Sequence, residues 1–254
     1  MRFVPEVAVE PRPGNEPRYV RSYVCTRFAI GLLGVLLPPL LVLLEPALFD
    51  GLPAPRGSLS AYYYSGVREI FVGGLWAIGV FLVVYKLLDF TGESLLSSLA
   101  GAAAMLVAVF PTERPGDGWP LTPFQEKLGE DAVTVIHYGA AVAFIALLVP
   151  ITLFFAREEG GRAQEEGGRA HRKWQGFHTV AAVFIVSGAA LAAFTGITGR
   201  PDKGVLFGEW IAIWAFGASW LVKGAEWETL FGRRAASVVA GADRPPESST
   251  IPLG

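Results

Sequence analysis

Residues 58–85 read SLSAYYYSGVREIFVGGLWAIGVFLVVY, and this stretch decides the fold. A polar, aromatic opening leads through Arg68 and Glu69 into an apolar run of helical length. Such a run, with ionisable residues only at its mouth, is the pattern of a membrane span. Tyr62, Tyr63 and Tyr64 at its start suit an interfacial aromatic belt. Gly73, Gly74 and Gly79 leave room for another helix to approach.

Working outward, the same pattern recurs. Apolar runs at about 28–49, 67–88, 95–110, 132–155, 174–195 and 205–222 give six spans in an all-α, polytopic membrane protein. The first holds Pro38 and Pro39, which withdraw two backbone donors and predict a kink. The third is short, which implies either adaptation of the bilayer or an extension through Ser94. Residues 1–26 hold four prolines and read as an irregular tail, without the short basic leader of a signal peptide. Residues 156–173, with the near-repeat REEGGRAQEEGGRA, read as a solvated low-complexity linker. Residues 225–254 read as a flexible tail.

Composition agrees. The chain of 254 residues is 52% hydrophobic and 17% charged, with a mean hydropathy of +0.43; soluble domains carry about a quarter charged residues. A net charge of −2 excludes a dedicated nucleic-acid binder, which would present a basic face. The single cysteine, Cys25, excludes an intrachain disulfide and a cysteine metal site; it reads as a membrane-edge residue.

Six spans place both termini on one side. That side carries 15 of the 21 Lys and Arg residues and the opposite side 6. By the positive-inside rule both termini are cytoplasmic, and the membrane expected is the inner (plasma) membrane of a bacterial-type cell. The segments SLSAYYYSGVRE, FPTERPGDGW and TGRPDKG then gather at the outer face, together with His137 and Glu209. The candidate ligand-binding residues are therefore Ser60, Tyr64, Arg68, Glu69, His137 and Glu209, with the side chains of Arg68, Glu69, His137 and Glu209 expected to face the bundle interior. Against this stand plainer readings: an interfacial Arg68–Glu69 ion pair, and His137 hydrogen-bonded to one of the three tyrosines, Glu69 or Glu209.

Metal and cofactor chemistry finds little support. His137 and His178 fall near opposite ends of their spans, separated by on the order of 20 Å along the membrane normal, and no HxxxH or HExxH spacing occurs. Lys223 stands at the cytoplasmic end of the last span, where a lysine snorkels rather than carrying a Schiff base. No phosphate loop or GxSxG elbow is present. No metal, cofactor or catalytic residue is assigned.

With these residues in view, the chain resembles the six-helix membrane superfamily of FGF-receptor-activating and autophagy-modulator (DRAM, Sfk) proteins and their bacterial relatives. The resemblance rests on Ser60 to Tyr64, Arg68, Phe71-Val72-Gly73, the AVFPT run from Ala108 to Thr112, and His137, and covers roughly residues 28–222. It implies a six-helix fold without established catalytic residues, and roles in membrane or lipid traffic for its eukaryotic members.

The expectation is a non-enzymatic membrane protein whose outer polar site binds a lipid headgroup or a partner membrane protein, in one chain or as a homo-oligomer. The alternatives are a small transporter or channel, for which mid-span charges are lacking, and an intramembrane lipid hydrolase. The latter requires Ser60, Glu69, His137 and Glu209 to converge.

Overall fold

The computed structural model describes residues 16–49, 54–85, 91–165, 169–200 and 202–225. Seven α-helices follow in order: α1 (Glu16–Leu48), α2 (Arg68–Val84), α3 (Gly92–Val109), α4 (Pro123–Leu128), α5 (Glu130–Glu165), α6 (Arg169–Thr198) and α7 (Gly204–Ala225), with a 3-10 turn at Ser60–Tyr64 before α2. No strand occurs among the described residues. α1, α3, α5, α6 and α7 are long and apolar enough to cross a membrane. α2 has 17 residues, a rise of about 25 Å.

The long helices form a ring. α1 packs on α2, α2 on α3, α3 on α5, α5 on α6 and α6 on α7, and α7 closes back on α1. Neighbours run antiparallel, so the ring has two faces. One face carries the connections around residues 54–67, 110–129 and 199–203 and is called here the loop face. The other, the terminal face, gathers the start of α1, the end of α2, the α5–α6 junction and the end of α7.

Leu41, Leu82, Leu148, Ile151, Phe155, Ile185 and Trp220 are fully or almost fully buried inside the ring. Around its outside stand exposed apolar side chains, among them Leu43, Val80, Leu99, Val142, Val183 and Phe194. An apolar perimeter of this extent needs lipid against it, so the protein is a multi-pass α-helical membrane protein.

Two devices hold the ring. The first is close backbone approach. A Cβ added at Gly217 would meet the Gly31 carbonyl oxygen at 2.9 Å, and one at Gly79 would meet the Gly101 carbonyl at 2.8 Å. These are contacts only glycine permits. Of the three α2 glycines, Gly79 thus meets α3, Gly74 faces the side chain of Leu37, and Gly73 has open space around it. The second device repairs proline. Pro39 has no N–H for the Val35 carbonyl, and the indole Nε1 of Trp214 donates to that carbonyl at 2.8 Å. α1 therefore continues through Pro38, Pro39 and Pro46 without a break.

The structure revises several boundaries. α1 begins at Glu16, so residues 16–26 are helical, because extending a helix already nucleated costs little; residues 1–15 lie outside the described residues. α3 begins at Gly92, with the Thr91 hydroxyl accepting from the Ser94 N–H at 3.3 Å, in line with the expected extension. The solvated linker is not found: α5 runs through Glu165 and α6 starts at Arg169, and Glu159 within that segment is 1% exposed. The tail expected from 225 onward, beyond Ala225, also lies outside the described residues.

Candidate functional site on the loop face

The three polar segments of the loop face meet. Ala54, Arg56, Gly57, Ser58, Ala61 and Tyr64 from the first, Thr112, Glu113 and Arg114 from the second, and Lys203 from the third line one open basin of about 560 Å³, with Tyr138 of α5. Each cation is held by its own partner. Arg56 makes a two-pronged salt bridge to Glu45 at the end of α1. Arg114 Nε and Nη2 reach the two oxygens of Glu130 at 2.9 and 2.8 Å. Lys203 Nζ donates to the Pro55 carbonyl. Guanidinium–carboxylate forks of this kind fix the planes of both groups. Among the described residues, Glu113 is the only carboxylate lining the basin.

Tyr64 ties two of these segments together. Its hydroxyl donates to the Thr112 carbonyl at 3.0 Å and accepts from Gln125 Nε2 at 3.0 Å, and its ring meets Trp119 edge-on. Gln125 is placed by a capping box at the start of α4, where Thr122 accepts from the Gln125 N–H. Tyr62, Tyr63 and Tyr64 are 0, 5 and 5% exposed, which corrects the expected aromatic belt: the rings fill the top of the bundle instead of facing headgroups. Their phenols find partners there, and a paired hydroxyl can be buried cheaply. Burial pushes the Tyr64 phenol above its ordinary value, with the Gln125 hydrogen bond opposing, and burial likewise raises Tyr62 against the Arg56 N–H. The stabilising protons are thus present below pH about 10 and are lost as pH rises past it. In a phenolate absorbance titration these two tyrosines are expected to ionise last, and Tyr64→Phe to remove one late step.

Arg68 and Glu69 depart from expectation. Both are exposed. Arg68 stacks on the Tyr63 ring, 4.3 Å from its centroid, and Nη2 donates to the Tyr63 hydroxyl at 2.6 Å. No Arg68–Glu69 ion pair forms among the described residues. These positions open α2 on the side away from the ring interior, so the two charges stay hydrated instead of being desolvated.

His137 is buried, 1% exposed, as expected, but its partner is a different one. Nδ1 lies 2.7 Å from the Phe110 carbonyl; since a carbonyl only accepts, Nδ1 carries the proton and donates. His137 therefore caps the end of α3. Nε2 is buried without a hydrogen-bond partner. No hydrogen bond joins His137 to Ser60, Glu69 or Glu209 among the described residues.

Glu209 and Ser60 are brought together elsewhere. Beneath the basin, between α1, α2, α3, α5 and α7, lies a chamber of about 60 Å³ whose lining is apolar except for these two residues. Glu209 Oε2 accepts the Leu59 N–H at 2.6 Å. Residues 58–61 form the partition, with Ser58 and Ala61 lining the basin and Leu59 and Ser60 the chamber.

The terminal face holds a second polar assembly that the sequence reading missed. Lys223 is fully buried and donates to Glu159 Oε1 at 2.7 Å, with Glu158 Oε2 at 3.2 Å. Glu159 Oε2 meets His171 Nδ1 at 2.8 Å, and Arg162 reaches Glu158 at 2.7 Å. Lys223 therefore does not snorkel. Its ammonium is turned inward over Phe155, 5.9 Å from the ring centroid. Nearby, His178 Nδ1 pairs with Ser219 Oγ at 2.7 Å, and Arg27 donates to the Tyr85 hydroxyl at 2.9 Å. His178 and His137 sit at opposite ends of the bundle. The signal was present in the sequence as carboxylates at 158 and 159 abutting a lysine-terminated span, but low-complexity composition masked it.

No family model, no curated protein and no solved structure matches the chain. Among the described residues, no group of three or more His, Cys, Asp or Glu side chains is arranged to hold a metal.

Proposed function

We propose that the protein is a six-span, non-enzymatic plasma-membrane protein of the bacterial type, with both termini cytoplasmic, whose outer basin binds the phosphate-bearing headgroup of a lipid. The observation that carries this reading is the convergence of Arg56, Arg114 and Lys203 from three separate connections on one basin. Phosphate is recognised by such clusters of guanidinium and ammonium groups. Thr112, Tyr138 and Ser58 add hydroxyls, and the exposed carboxylate of Glu113 suits the ammonium of a zwitterionic headgroup.

The sixth span is α2. Its 17 residues rise about 25 Å, close to the roughly 30 Å of a hydrocarbon core. The excess of Lys and Arg on the terminal face supports a cytoplasmic assignment for that face. The resemblance to the six-helix superfamily of FGF-receptor-activating and autophagy-modulator proteins agrees with this architecture and belongs to the same proposal. The lipid-binding reading is preferred to the hydrolase reading because His137 caps α3 and Glu69 is exposed.

Native mass spectrometry of the gently extracted protein tests the assignment. A phosphate-bearing lipid is expected at near-stoichiometric occupancy. Lys203→Glu is expected to weaken its retention about fivefold or more, since one cation near a charged headgroup contributes about 1 kcal/mol. A protein that carries no lipid, or a variant that retains lipid as the parent does, overturns the reading.

A further inference from the structure

The geometry points to a second ligand site beneath the basin: a chamber for a small alkylammonium ion, its cationic head on Glu209 and Ser60 and its alkyl part among Leu37, Leu75, Phe144 and Ile213. This site is distinct from the basin and does not depend on the lipid reading.

The chamber poses a chemical mismatch. Its walls come from five helices and are hydrocarbon apart from one carboxylate and one hydroxyl. Among the described residues, the Glu209 carboxylate receives a single hydrogen bond, from the Leu59 N–H to Oε2. Its other oxygen receives none, and no hydrogen bond reaches the Ser60 hydroxyl. A carboxylate in such a place calls for a counter-charge, and among the described residues no Lys or Arg lines the chamber.

Water answers the mismatch poorly. A buried water needs two to four polar partners, and a cavity of about 60 Å³ has room for about four to six water-sized atoms. Two polar groups cannot serve that many waters. A bare metal ion is served no better, since hard cations take six or more oxygens. A short primary ammonium ion meets both demands. Its N–H groups satisfy the free carboxylate oxygen and the Ser60 hydroxyl, and three to five carbons fill the apolar remainder. Entry is from the basin through the partition formed by residues 58–61, which is held to α7 by the Leu59–Glu209 hydrogen bond.

Equilibrium dialysis of the purified full-length protein against isotopically labelled n-butylammonium tests the site, with n-butanol and sodium ion as competitors. Saturable binding of one butylammonium per chain is expected, with neither competitor displacing it at equal concentration. Glu209→Gln is expected to weaken binding about tenfold or more. Because that variant alters the partition, Ile213→Phe supplies an independent check. It leaves the carboxylate in place and fills the chamber, and it too is expected to abolish binding while the protein still melts cooperatively. Lys203→Glu, which acts on the basin, is expected to leave amine binding unchanged, so failure of the lipid reading and of this one are separable. Absence of saturable binding, displacement by sodium, or undiminished binding in Glu209→Gln or in Ile213→Phe overturns the proposal.

Discussion

Lys223→Ala is expected to destabilise the folded protein by about 3–5 kcal/mol, the cost of leaving a buried charge cluster without one of its members. Lys223 is fully buried where α5, α6 and α7 meet, and it serves both Glu158 and Glu159. Glu159 is itself 1% exposed and accepts from His171 and Arg162 as well. Removing the ammonium leaves that carboxylate deficient in a medium where water cannot replace the lost partner. The alkyl stem, packed over Phe155, is lost at the same time. The double variant Lys223→Met with Glu159→Gln is expected to recover about half of the loss, because a neutral amide and an apolar stem remove the uncompensated charge. Unfolding in mixed micelles, followed by tryptophan fluorescence, measures both. A single variant as stable as the parent refutes the account.

Gly188→Leu is expected to cost about 3 kcal/mol or more, enough to prevent α6 from seating on α7. A Cβ at Gly188 would lie 2.5 Å from the Gly208 carbonyl oxygen and 2.9 Å from the Ala212 nitrogen. The contact is reciprocal, since a Cβ at Gly208 would lie 2.5 Å from the Gly188 carbonyl and 2.6 Å from the Ala192 nitrogen. Backbone on both sides leaves no flexible side chain to yield. Gly73→Ala on α2, where nothing lies within 4 Å, is the matched control and is expected to change stability by about 0.5 kcal/mol or less. Thermal melting of the two variants in the same detergent compares them. Equal melting temperatures refute the close-approach argument.

Helix-length apolar runs were readable from hydropathy, because a span must satisfy its backbone internally and face lipid with apolar side chains. So was the meeting of the three loop segments, since antiparallel spans bring alternate connections to one face. Side-chain direction was not readable. Arg68 and Glu69 lie close in sequence to Tyr63 and Tyr64, yet the charges open α2 and are exposed while the rings belong to the preceding 3-10 turn and are buried. His137 was placed correctly near the end of its span, but its partner is the Phe110 carbonyl at the end of α3. That relation links residues 27 apart in sequence and follows from packing alone. The cluster around Glu159 was hidden for another reason. Repetitive Glu, Gly and Arg composition usually marks solvated chain, and here the helix on either side carries it into the ring.

The closing of α7 upon α1 fixes an order of assembly. α1 holds a carbonyl at Val35 whose donor sits at Trp214 of α7, and its Gly31 and Gly34 await Gly217. Until α7 has been translated, that seam lies open to lipid. The nascent α1 must therefore dwell in the bilayer, or beside the insertion machinery, with its Pro38–Pro39 stretch unsealed. Chains arrested before α7 would present the quality-control proteases with the very stripe that the finished ring conceals.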